Sequence, residues 1–110
     1  MNRDPLVFIR HILENLEDIE LFTKNVSRKD FFNNKEKQNA VVRSLEIIGE
    51  ASKNLPLEFR EKHKGIEWKE IIGTRDKIIH HYFGVDLEII WDIIKINLPV
   101  LKKKLKVIVK

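Results

Sequence analysis

The stretch from Leu87 to Val107 constrains the fold most. Leu87, Ile90, Trp91, Ile94, Leu98 and Leu101 follow helical steps, and Ile89, Ile93, Ile96 and Val100 make the same helix apolar on a further side. A surface helix in a 110-residue monomer needs only one apolar face. Either neighbouring helices wrap this one unusually fully, or its surplus face meets a partner, a second copy of the chain being the simplest. Asp86 is a suitable N-cap for it. Pro99 has no N–H to offer the Lys95 carbonyl, which predicts a kink.

The rest of the chain supplies the helices to pack against it. The first begins near Pro5, a favoured first-turn residue, and carries Leu6, Ile9, Leu13 and Leu16 at helical steps before ending ahead of Asn25. A short turn at about 28–33 places Phe31 and Phe32 to plug one end of the core. The second main helix runs from about Lys35 to Asn54, with a stripe of Val41, Leu45, Ile48, Ser52 and Leu55. Gly49 sits in its middle, where glycine costs about 1 kcal/mol relative to alanine; close approach of a neighbouring helix would compensate. Pro56 stops this helix. Residues 57–65 are polar and read as irregular or as one short turn. The third main helix opens at Glu67-Trp68-Lys69 and reaches position 83, either unbroken or as two pieces divided near Gly73, with Gly84 as its C-terminal cap. The expected architecture is an all-α, up-and-down four-helix bundle in a single domain, residues 1–110, that forms a homodimer.

Composition agrees. Hydrophobic residues make up 43% and charged residues 35%, which excludes a disordered chain. The absence of cysteine excludes disulfides and thiolate metal sites. No apolar run is long enough to span a membrane, and the N-terminal segment, interrupted by Arg10, His11 and Glu14, does not read as a signal peptide. A cytoplasmic location is expected. The histidines, His11, His63, His80 and His81, form no Glu-x-x-His pairs of the kind a di-iron bundle uses, so no metal site and no cofactor are expected. The net charge of +4 favours an anionic partner such as nucleic acid. Part of that excess is Lys102, Lys103, Lys104, Lys106 and Lys110, which also read as a solvated helix end facing the negative pole of the helix dipole.

The chemistry-bearing segment is Arg75-Asp76-Lys77-Ile78-Ile79-His80-His81-Tyr82. Continued helical periodicity puts Ile71, Arg75, Ile78 and Tyr82 on one stripe. Arginine is rarely buried without a partner, so a cation there is either shielded at an interface or placed for a ligand. Histidine exchanges protons near neutrality, and the arginine fork suits a phosphate. Asp76, four positions before His80, would orient the imidazole across one helix face. Arg75 and His80, five positions apart, diverge by about 140° on an ideal helix. Hence the helix is irregular near Arg75, or the site is assembled from two chains.

Arg75-x(4)-His80-x-Tyr82, with polar Asp76 after the arginine, resembles the signature of HEPN-domain toxins of the HepT type. Ile47-Ile48-Gly49-Glu50-Ala51, Trp68-Lys69-Glu70-Ile71-Ile72-Gly73, Tyr82-Phe83-Gly84-Val85-Asp86 and Trp91 are similar to that family's pattern in the same order. The resemblance implies a dimeric HEPN-like bundle with metal-independent endoribonuclease activity at the inter-subunit cleft. It implies that Arg75 and His80 are catalytic, and that a partner, an MntA-type minimal nucleotidyltransferase antitoxin, silences the toxin by AMPylation of Tyr82. His81 departs from the pattern, where glycine is common. Some relatives only bind nucleotide or serve as partner modules of a nucleotidyltransferase; the intact Arg75, His80 and Tyr82 weigh against that alternative.

Overall fold

The computed structural model describes residues 4–80 and 84–109, with the backbone alone at positions 79 and 80. Helix α1 spans Pro5–Thr23, with Asp4 as its cap: the Asp4 carboxylate accepts the Leu6 N–H at 3.0 Å. Ile9, Ile12, Leu16 and Ile19 form its buried face. A one-turn helix, α2 (Arg28–Phe32), follows Ser27, whose hydroxyl accepts the Asp30 N–H. Phe31 is completely buried and packs on Trp91, whereas Phe32 is half-buried under the Arg28 guanidinium, so only one of the two rings plugs the core.

Helix α3 (Lys35–Lys53) buries the expected stripe, Val41, Leu45, Ile48 and Ser52, and Leu55 just beyond it is also buried. Ser52 spends its hydroxyl on the Ile48 carbonyl, which is how a polar residue sits there without an unmet hydrogen bond. The polar stretch contains one short helix, α4 (Leu57–Lys62).

The third expected helix is two short ones and then no helix. Helix α5 (Trp68–Ile72) ends at Gly73, and α6 (Thr74–Ile78) begins at once, the Thr74 hydroxyl donating to the Glu70 carbonyl. At Ile79 the chain becomes extended. Strand β1 (Ile79–His80) pairs antiparallel with β2 (Gly84–Val85), Ile79 opposite Val85 and His80 opposite Gly84. The helix expected to reach position 83 therefore stops at Ile78. The physical cause is competition: the Ile78 carbonyl accepts the Asp86 N–H at 2.7 Å, and the β-branched Ile79 favours extended backbone. Gly84 adopts φ +86, the left-handed geometry anticipated for it, but in the hairpin and not at a helix end.

Asp86 caps the last helix as expected, accepting the Ile89 N–H at 3.2 Å. Helix α7 (Leu87–Asp92) leads into a widened π turn at Ile93–Asn97 and then α8 (Leu98–Ile108). The wide turn lies immediately before Pro99, the residue that lacks the donor for Lys95. Where the sequence predicts a kink, the helix shows a change of helical register. Ile90, Ile94, Leu98, Leu101 and Leu105 form the buried stripe. Four layers surround the core: α1, α3, the α5–α6 pair and the α7–α8 helix. Among the described residues, no helix is long and apolar enough to cross a membrane.

Candidate functional site

Gly49 explains where α5 and α6 sit. A Cβ placed on it would lie 3.5 Å from the Ile71 carbonyl oxygen and 3.7 Å from that of Ile72, so the backbone at the end of α5 rests directly on α3. This is the close approach its mid-helix glycine anticipates. The chain then turns through Gly73 into α6 above the N-terminal side of the same α3 face.

Arg75 projects from α6 into solvent. Its side chain is 67% exposed, so it does not lie on a buried stripe with Ile71 and Ile78. Its Nε stands 3.5 Å from Oε2 of Glu46 on α3. Asp76 and Lys77 are also exposed, while Ile78 is fully buried and pins the end of α6 to the core. Because His80 lies in β1, the helical spacing that put Asp76 and His80 on one face does not exist, nor does the 140° helical divergence between Arg75 and His80. The backbone breaks irregularly between them. The His80 side chain, His81 and Tyr82 lie outside the described residues. Sequence reasoning missed Glu46, one of three glutamates in a charged helix. Its signal was position: it precedes Gly49 by three residues and so shares the face that receives α5 and α6.

Beside α6 runs a groove of about 420 Å³, bounded by α5–α6 on one side and the second face of the last helix on the other. Ile71, Ile89 and Ile93 supply apolar walls, and Glu67, Lys77 and Lys104 the rim. The Glu67 carboxyl is raised above its ordinary value, first by hydrogen bonding with Glu70 and then by that neighbour's charge. Ile96 and Val100, at the groove's edge on the last helix, are 63% and 50% exposed, and Val107 beyond the groove is 72% exposed. The apolar surplus read in the last helix is thus open to solvent in the single chain.

Two tail lysines are used locally: Lys102 Nζ donates to Glu20 and Lys104 Nζ to the Gly65 carbonyl, each at 2.7 Å. No cluster of three or more His, Asp or Glu residues able to hold a metal occurs among the described residues.

The family model described as ribonuclease HepT-like matches residues 12–108. A Methanocaldococcus jannaschii protein named "Gamma-glutamylcyclotransferase and putative RNase" is 50% identical over 105 residues; the match takes in 96% of this chain but only 47% of that longer protein. A "Putative RNase" of Caldanaerobacter subterraneus is 49% identical, with 98% of this chain and 96% of the relative aligned. A "Probable ribonuclease HepT" of Thermococcus cleftensis is 46% identical, with 94% of each chain aligned. No solved structure matches significantly. With the model spanning nearly the whole chain and relatives of this identity aligned end to end, the chain belongs to the HepT-like ribonuclease family.

Proposed function

We propose that this protein is the toxin of a toxin–antitoxin pair, a metal-independent endoribonuclease whose active cleft lies between two copies of the chain. The observation that carries the reading is the placement of Arg75. It stands exposed on α6, flanked by Thr74 and Lys77, which line the same groove as the exposed Ile96 and Val100. A second chain packed on Ile96 and Val100 would wall the cleft beside Arg75.

In that cleft His80 takes the proton as a ribose 2′-oxygen attacks the adjacent phosphorus, and a protonated imidazole returns one to the departing 5′-oxygen. Arg75 stabilises the charge that builds on the phosphorane oxygens. Use of the 2′-oxygen restricts cleavage to RNA. The partner is an MntA-type nucleotidyltransferase that transfers AMP from ATP to the Tyr82 hydroxyl with release of pyrophosphate, adding bulk and negative charge where RNA must enter.

Purified protein in EDTA should cut RNA, and His80→Ala and Arg75→Ala should each reduce the rate by about 10²–10⁴-fold with an unchanged circular dichroism spectrum. Cleavage by His80→Ala at the wild-type rate removes it from the mechanism. Wild-type protein that binds RNA without cutting it would instead identify a non-catalytic partner module. Co-expression with the nucleotidyltransferase should add the mass of AMP to the Tyr82 peptide; a neutralised toxin with unmodified Tyr82 rejects that control mechanism.

A further inference from the structure

We infer that Glu46 is a positioning residue for Arg75: it fixes the guanidinium so that its outer edge meets the RNA phosphate. The inference rests on the proposed ribonuclease reading and adds a residue to it from a different helix.

The two partners have unequal footing. Arg75 stands on a five-residue helix bounded by Gly73 and by the extended strand β1. Its long side chain is 67% exposed. Left alone, such a side chain samples many rotamers, and a catalytic cation that wanders loses most of its value in the transition state. Glu46 stands in the middle of the 19-residue α3, between the buried Leu45 and the half-buried Ile47, and its side chain is only 29% exposed. The rigid member is the carboxylate.

The contact geometry leaves the useful edge open. Glu46 Oε2 approaches the guanidinium at Nε, 3.5 Å away. The two Nη nitrogens lie at the far end of the guanidinium and carry most of its N–H donors. These are the groups that grip a phosphate in a bidentate fork. A carboxylate at Nε therefore steers the fork outward and keeps its own negative charge on the side away from the phosphate.

The placement is a consequence of the fold. Gly49 admits the α5 backbone onto α3, and Glu46 lies one turn earlier on that face. Helix α6 starts two residues after Ile72, which brings Arg75 over Glu46. An ion pair this exposed contributes little to holding the fold together. Its value lies in orientation, and orientation has a distinct kinetic signature.

The experiment compares wild type, Glu46→Gln, Arg75→Ala and the double variant in EDTA, measuring kcat and KM on one RNA. Glutamine keeps the shape and removes the charge. Glu46→Gln should lower kcat about tenfold while KM changes by less than about twofold, since the arginine is still present but poorly aimed. The double variant should be no slower than Arg75→Ala, because Glu46 acts only through Arg75. Independently of turnover, the Arg75 Nε–Hε resonance, identified by its loss in Arg75→Lys, should shift in Glu46→Gln. Glu46→Gln cutting at the wild-type rate, a tenfold loss repeated in the Arg75→Ala background, or an unmoved Nε–Hε resonance would each overturn the assignment. Wild-type protein that cuts no RNA overturns the ribonuclease reading itself, a result distinct from a fast wild type with an equally fast Glu46→Gln.

Discussion

The Asp86 amide donates to the Ile78 carbonyl at 2.7 Å, and this bond joins the end of α6 to the start of the last helix across the hairpin. The same residue then turns its side chain onto the Ile89 N–H. Asp86→Ala keeps the backbone bond and loses the cap. It should cost about 1 kcal/mol, with Asp86→Asn within a few tenths of wild type. Urea unfolding followed by circular dichroism measures both, and an alanine variant as stable as the asparagine one would remove the cap from the account.

Phe31 and Phe32 are adjacent and unequal. Phe31 is fully buried with its ring centroid 5.6 Å from that of Trp91, while Phe32 is half-buried beneath Arg28, itself paired with Glu88. Phe31→Ala should destabilise by about 3–5 kcal/mol through the cavity it leaves. Phe32→Ala should cost markedly less. Equal losses on chemical denaturation would mean that both rings belong to the core.

Gly49 offers a test of how tightly α5 is held. A methyl group there meets the Ile71 carbonyl oxygen at ordinary contact distance, 3.5 Å, so Gly49→Ala gains helix propensity without a clash. It should be neutral or stabilising by up to about 1 kcal/mol. Gly49→Leu must push the α5 backbone away, should lower the melting temperature, and should slow RNA cleavage by displacing α6. A leucine variant that melts and cuts like wild type would show that α5 is not fixed by this contact.

Much of the bundle was legible because its signals are local. The Val41–Leu45–Ile48–Ser52 stripe, the Asp86 cap and the irregularity before Pro99 each depend on spacing or on one residue's chemistry. The break after Ile78 was not. Thr74 to Tyr82 keeps a helical period, and what ends the helix is a hydrogen bond from Asp86, eight positions away from Ile78. Gly84 shows the division clearly: its need for a left-handed backbone was readable, but whether that served a cap or a hairpin depended on the partner strand. At the candidate site, Arg75 was readable from its motif. Glu46 was not, since only the packing of α6 on α3 pairs it with the arginine.

Stability should carry a small pH dependence from the groove rim. The Glu67 carboxyl is raised above 4.5 because it hydrogen-bonds with Glu70 and faces its charge. A carboxyl with a raised folded pKa contributes stability while it is protonated and loses that contribution as pH rises through the folded value. The stability of the wild type should therefore decline slightly just above pH 4.5, relative to Glu67→Gln, in which the glutamine cannot ionise. Melting temperatures collected across that range should converge below it and separate above it. Parallel curves would exclude the Glu67–Glu70 contact as the source.

Ile96 and Val100 carry the last prediction. Both lie on the side of the helix turned away from the buried Ile94, Leu98 and Leu101, and both are at least half exposed. If this stripe is the face on which two copies meet, Ile96→Lys should introduce like charges across the two-fold axis and separate the subunits. The isolated chain should keep its fold, because Ile96 contributes little to the core. Light scattering coupled to size exclusion should then report a monomer with wild-type circular dichroism, and RNA cleavage should fall with the dimer even though Arg75 and His80 are intact. An Ile96→Lys variant that remains dimeric and active would place the subunit contact on another face; a monomer that still cuts RNA at full rate would show that the cleft is complete within one chain.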